Sequence, residues 1–218
     1  MDDSYGETYY LLPQSQWRNK NIAIVVLTGE CNPMNLPISA VISLVMSSVW
    51  CVPLYAATQD NPLGIYQLIQ DRMVLMKDVA GYKARQHLPV EDLKQEDRIL
   101  SNVREQSAAV GLSPQSTQLF FTSLMNSSKA IQYRYMADWL ATPESDWTPL
   151  SLNGTVRPTL LTIDDQLLVS IKRYLSEGGH FAPQQEDAFL SFINVEHLSQ
   201  NDKRQIYAAL SQIEPDSK

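Results

Sequence analysis

The sequence predicts an all-α fold, and three observations carry that prediction. Apolar residues recur at spacings of three and four over long stretches, and no competing run of strict alternation suggests strands. Only 8 glycines stand among 218 residues, too few for a turn-dense β protein. Helix start and stop signals fall where the periodic stretches begin and end. Hydrophobic residues at 44% and charged residues at 19% describe an ordinary globular chain. Its length suits one substantial domain with processed or disordered ends. The expectation is a single helical domain of about six helices after a cleaved signal segment.

The signal segment rests on residues 38–57, ISAVISLVMSSVWCVPLYAA, an apolar run without a charge that is followed at once by TQDNP. About 15 strongly apolar positions before Pro53, with no basic flank after them, favour a secretory signal over a retained transmembrane helix. Met34 directly precedes the run, so 34–57 reads as the signal peptide and 1–33 as a leader or an over-called N-terminal extension. Cleavage falls after Ala56 or Ala57. The helical domain is then 58–218, periplasmic or secreted, with no stable membrane insertion after processing. Cys31 and Cys51 both precede residue 58, so the processed chain has no thiol, disulfide or cysteine metal site.

Within the domain the first helix is expected over 61–86, with Ile65, Leu68, Ile69, Met73, Met76 and Val79 on its stripe. A second runs from 90 or 91 to 110 through Ile99, Leu100 and Val103, and Gly111 is placed to end it. Ser113-Pro114 supplies an N-cap and first residue for a third. That helix continues to 139 or 140 through Phe120, Phe121, Leu124, Met125, Ile131, Tyr135 and Met136. Residues 141–155 read as a connecting loop. Thr155 and Pro158 signal a fourth helix carried by Leu160, Leu161, Leu167, Leu168, Ile171 and Leu175 to Gly178-Gly179. Two shorter helices follow at about 183–193 and 200–213, the latter capped by Ser199 with Asp202 three residues on. The tail from Glu214 is expected to fray.

Charge and ligand inventory exclude several classes. A net charge of −7 leaves no basic face for nucleic acid. His87, His180 and His197 are not paired at ligand spacing, so no metal is expected.

The informative residues are polar side chains on apolar stripes. Arg72 and Lys83 follow the line of Ile65, Ile69, Met76 and Val79; eleven residues make about 1100°, close to three turns, and about 16 Å of rise. Asp92 and Glu96 share the face of Ile99 and Val103, Ser128 and Gln132 that of Met125 and Tyr135, and Arg157 begins the line of Leu160 and Leu168. Each alone has an ordinary explanation, such as a snorkelling cation or a helix-start acid. Together, complementary charges on four stripes indicate a shared polar pocket inside a bundle, because unpartnered buried charge is costly. Three cations facing two carboxylates and an amide suit a ligand with two carboxylates and a hydroxyl.

Several strings then carry a resemblance: Arg72 and Lys83 within DRMVLMKDVAGYKARQ, the following LPVEDLKQE, the segment SSKAIQYRYMADWL, and LNGTVRP at the fourth helix. In their order and spacing, residues 60–213 resemble the secreted subclass of the all-helical chorismate mutases. The resemblance implies a chorismate mutase type II-like bundle acting on chorismate, in the route to phenylalanine and tyrosine, with no cofactor. It implies that Arg72 and Arg157 bind the two carboxylates of chorismate. Lys83 and Gln132 would donate to the ether oxygen as the catalytic pair, Asp92 and Glu96 would hold the ring hydroxyl, and Ser128 would help place a carboxylate. Gln95 stands where many relatives carry Arg and is left out of the site. A site complete within each chain and a homodimer are likewise implied. The rival reading is a non-catalytic exported helical binder or effector on the same fold. It predicts an apolar or wrongly charged residue at Arg72, Lys83, Gln132 or Arg157, and none occurs.

Overall fold

Asn61 and Pro62 lead into the first helix: the Asn61 side chain accepts from the Leu63 amide at 3.1 Å, and the Pro62 carbonyl accepts from Ile65 and Tyr66. The computed structural model describes residues 61–216. The expected leader and signal segment, with Cys31 and Cys51, lie outside the described residues. Among the described residues the secondary structure is helical: α1 (Leu63–Val74), α2 (Met76–Arg85), α3 (Leu93–Val110), α4 (Pro114–Ala141), α5 (Arg157–Ser176), α6 (Glu186–Phe192) and α7 (Gln200–Leu210). No helix among them is long and apolar enough to cross a membrane.

The helix expected over 61–86 is two segments. At Leu75 the backbone opens to ψ −12°, and the ladder resumes when Val79 donates to the Leu75 carbonyl at 3.1 Å. The buried stripe passes through the irregularity from Ile69 and Met73 to Met76 and Val79, so periodicity could not reveal it. The next start is also later than expected. Asp92 is the N-cap of α3 and not a first-turn residue; its Oδ1 accepts from the Gln95 amide at 3.2 Å. Gly111 ends α3 with φ +76°, a left-handed conformation that glycine adopts without a Cβ clash. Ser113 caps α4 by accepting from the Ser116 amide, with Pro114 as the first helical residue, as the sequence predicts.

α4 is the spine of the bundle. It packs against α2, α3 and α7, while α5 packs against α1 and α3. Phe120, Phe121, Leu124 and Ile131 on α4 are fully buried, as are Ile69 and Met73 on α1 and Leu167, Leu168 and Ile171 on α5. Each such side chain contributes about 1.5–3 kcal/mol by leaving water.

The connection between α4 and α5 is fastened along α2. Lys77 pairs with Glu144 at 2.9 Å, Asp78 accepts from the Leu150 amide at 2.9 Å, and Arg85 donates to the Trp147 carbonyl. The Trp147 indole lies against Gly81, where an added Cβ would sit 2.4 Å from a ring carbon. A wide π-helical turn, Leu152–Val156, then leads into α5, with Ser151 accepting from the Gly154 amide.

The expected helix at 183–193 begins with a 3-10 turn, Pro183–Gln185, before α6. α7 carries the Ser199–Asp202 capping box but ends at Leu210. The tail is tied down where fraying was expected. Glu214 accepts from the Ser113 amide at 2.9 Å, Asp216 donates to the Gly111 carbonyl at 3.0 Å, and Leu112 and Pro215 form an antiparallel bridge. This contact is between chain segments about a hundred residues apart, which local sequence cannot display.

Candidate active site

Five helices place polar side chains around one cavity near the middle of the bundle. Its wall includes all seven residues singled out from the sequence: Arg72 from α1, Lys83 from α2, Asp92 and Glu96 from the start of α3, Ser128 and Gln132 from α4, and Arg157 from α5. Met76, Val79, Val90, Ile99, Met125, Leu152, Leu160 and Leu161 supply the apolar remainder. Leu152 reaches the wall because the π-helical turn directs it inward.

Three polar residues of the wall escaped sequence reasoning. Asp164 lies on α5, Lys129 on α4, and Gln95, set aside as a departure, also lines the cavity. Asp164 reads in sequence as half of an exposed Asp-Asp pair, yet it is buried while Asp165 is exposed. One signal was available: seven residues separate it from Arg157 on the same stripe, about two turns.

Arg72 is 3% exposed and is held from two sides. Its Nε donates to Asp164 Oδ1 at 2.8 Å, and its Nη1 donates to Ser128 Oγ at 2.9 Å. Ser128 in turn donates to the Leu124 carbonyl at 2.8 Å, the usual back-bond of a helical serine. Burial pushes the Asp164 carboxyl above the usual carboxylate range, with Arg72 pulling in the opposite direction.

Lys83 is 7% exposed, and its ammonium donates to the Val90 carbonyl at 2.6 Å. Burial pushes its pKa below the usual lysine range, against the attraction of the Asp92 carboxylate. Gln132 donates from Nε2 to the Ser128 carbonyl at 3.1 Å and toward the Met76 sulfur at 3.8 Å, while its buried Oε1 has no hydrogen-bond partner among the described residues. A thioether is a weak acceptor, so one amide hydrogen of Gln132 is free to turn to a better one.

The mouth is framed by two partly exposed ion pairs. Arg157 donates to Asp92 Oδ2 at 3.0 Å and to Asn153 Oδ1 at 2.8 Å; Lys129 pairs with Glu96 at 3.0 Å. The cavity therefore gathers four cations, Arg72, Lys83, Lys129 and Arg157, against three carboxylates, Asp92, Glu96 and Asp164. Desolvated cations with spare donors favour a small polyanion. Among the described residues no group of three or more His, Cys, Asp or Glu is placed to hold a metal ion.

The fold and the cavity define a helical-bundle protein with an interior site for a small organic anion. Comparison with known proteins narrows that class. Residues 63–133 match the chorismate mutase type II family. A monofunctional chorismate mutase of Enterobacter agglomerans is 41% identical over 146 residues, covering 67% of this chain and 80% of its own. A secreted chorismate mutase of Yersinia pestis is 35% identical over 146 residues, covering 67% of this chain and 78% of its own. The crystal structure of that Yersinia pestis protein superposes with a TM-score of 0.65, covering 70% of this chain and 97% of that one. The chain belongs to the chorismate mutase type II family.

Proposed function

We propose that the protein converts chorismate to prephenate in the periplasm or outside the cell, within the route to phenylalanine and tyrosine. The observation that carries this reading is the convergence of Arg72, Lys83, Asp92, Glu96, Ser128, Gln132 and Arg157 on one cavity from five helices. The family and the two chorismate mutases to which the chain is similar support it.

The reaction is a unimolecular rearrangement: the ether carbon–oxygen bond breaks while a carbon–carbon bond forms, and no proton is transferred. The protein's task is to hold the compact conformer and to stabilise negative charge growing on the ether oxygen. Arg72 and Arg157 take the two carboxylates, Arg157 exchanging part of its contact with Asp92 for the ligand. Ser128 keeps Arg72 in place. Lys83 and Gln132 are the catalytic pair and donate to the ether oxygen; the lysine has a single carbonyl partner and the glutamine an amide hydrogen spent on a sulfur. Asp92 and Glu96 receive the ring hydroxyl. Donors already desolvated and fixed cost little reorganisation when the charge develops.

Residues 58–218 form the mature domain after removal of 34–57, and two copies associate as a homodimer. The test of the activity is the loss of chorismate absorbance with time on adding purified protein, with prephenate identified as the product. Decay at the uncatalysed rate would overturn the reading. Amino-terminal sequencing of exported protein tests the processing, and a first residue other than 57 or 58 would overturn it.

A further inference from the structure

The cavity wall contains one buried ionisable group that the proposed chemistry leaves without a task. Asp164 is 4% exposed and sits on the face of α5 that otherwise carries Ile163, Leu167, Leu168 and Ile171. Keeping a carboxylate there is costly, as the upward push on its pKa by burial shows. A buried Arg–Asp pair is also a poor stabiliser, since two apolar side chains of similar volume commonly do as well. Fold stability alone does not account for Asp164.

The geometry of the pair is more specific than charge neutralisation requires. A carboxylate paired with arginine commonly takes two parallel N–H bonds from the guanidinium fork. Asp164 takes only Nε, through Oδ1 at 2.8 Å, and Ser128 takes one hydrogen of Nη1 at 2.9 Å. The two contacts come from α5 and α4 and meet a side chain from α1. They fix the guanidinium plane without using Nη2 or the second hydrogen of Nη1, and those are the donors a ligand carboxylate needs for a two-bond grip.

We propose that Asp164 is a positioning residue: it seats the Nε edge of Arg72 so that the terminal edge of the guanidinium is presented to a carboxylate of the substrate. The proposal rests on the chorismate mutase reading above. Arg72 reaches the same carboxylate in the ground state and the transition state, so misplacing it weakens binding more than turnover.

The test is steady-state kinetics with chorismate on the wild-type protein and on Asp164→Ala, Asp164→Asn and Asp164→Glu, with helical circular dichroism as the folding control. Asp164→Ala removes the acceptor for Nε and is expected to raise KM about tenfold or more, with kcat within about threefold. Asp164→Asn keeps an acceptor oxygen in place and is expected to hold KM within about threefold of wild type, a rescue that a general need for a buried charge does not produce. Asp164→Glu keeps the charge but moves the acceptor by a methylene, so KM rises with it; should the alanine variant not fold, the Asn and Glu variants carry the test between them. A folded Ala or Glu variant with wild-type KM overturns the proposal, as does a loss confined to kcat. An Asn variant as impaired as the other two also overturns it. Failure of the underlying reading looks different, because the wild-type protein itself then leaves chorismate unchanged, and the proposal falls with it.

Discussion

Replacing Lys83 with methionine should separate activity from stability. The methionine side chain has nearly the length of the lysine stem, so the apolar packing of α2 is kept and the ammonium alone is lost. On the stability side two effects oppose. The bond from Nζ to the Val90 carbonyl, 2.6 Å long, is charge-assisted and contributes about 1.5–3 kcal/mol. Against it stands the cost of holding an ammonium at 7% exposure, several kcal/mol per ion after relaxation. The carboxylates that draw on Lys83, Asp92 and Glu96, are engaged elsewhere, by Arg157 and by Lys129. The net change in unfolding free energy is therefore expected within about 1 kcal/mol, and of either sign. On the activity side the loss of a donor to the developing oxyanion removes about 100-fold or more in turnover. That corresponds to about 2.7 kcal/mol of transition-state stabilisation. Urea denaturation followed by circular dichroism gives the first quantity, and the initial rate of chorismate loss at saturating substrate gives the second. Turnover within tenfold of wild type would refute the catalytic role. A destabilisation as large as the kinetic loss would refute the claim that Lys83 is kept for the site and not for the fold.

Other expectations follow from the same geometry. Because the folded, ligand-free protein lowers the pKa of Lys83 and the protonated form is the active one, the rate at substrate well below KM should be flat across neutral pH and fall as pH rises through a value below the free-lysine one of about 10.4. A rate that holds to pH 10.5 contradicts this. Arg157→Ala should raise KM about tenfold or more through the lost carboxylate contact. It should change unfolding free energy by no more than about 1 kcal/mol, since its pair with Asp92 is partly exposed; an unchanged KM excludes it from binding. Gly81→Ala gains about 1 kcal/mol of helix propensity but drives a Cβ into the Trp147 ring, an overpacking cost of about 1–3 kcal/mol. Net destabilisation with a shift in tryptophan emission is expected, and a variant more stable than wild type contradicts the contact.

Local signals were legible in the sequence. Gly111, Ser113-Pro114 and the Ser199–Asp202 box each act within one helical turn, so their chemistry can be read from neighbours in the chain, and each sits where the sequence places it. Arg72, Lys83, Ser128 and Gln132 were legible too, because a polar group on a buried face contradicts its surroundings wherever the face leads; the half-buried Asp92 and Glu96 are harder to tell from ordinary helix-start acids. What stayed hidden depends on distant partners. Leu75 breaks its helix without altering the stripe, and Glu214–Asp216 are held by residues next to α4. Asp164 was missed for a related reason. Beside Asp165 it resembles a solvent-facing acid; its two-turn spacing from Arg157 is a weak signal, and the approach of Arg72 from α1 is what distinguishes it.

The wall of the cavity is drawn from α1, α2, α3, α4 and α5 of a single polypeptide. Its assembly is thus an intramolecular event, governed by folding and not by the law of mass action. A site that borrows a side chain from a second subunit is dismantled when the subunits part on dilution. Here Arg157 reaches Asp92 from the same chain, so that pair and the cavity wall it belongs to form however few copies share the volume.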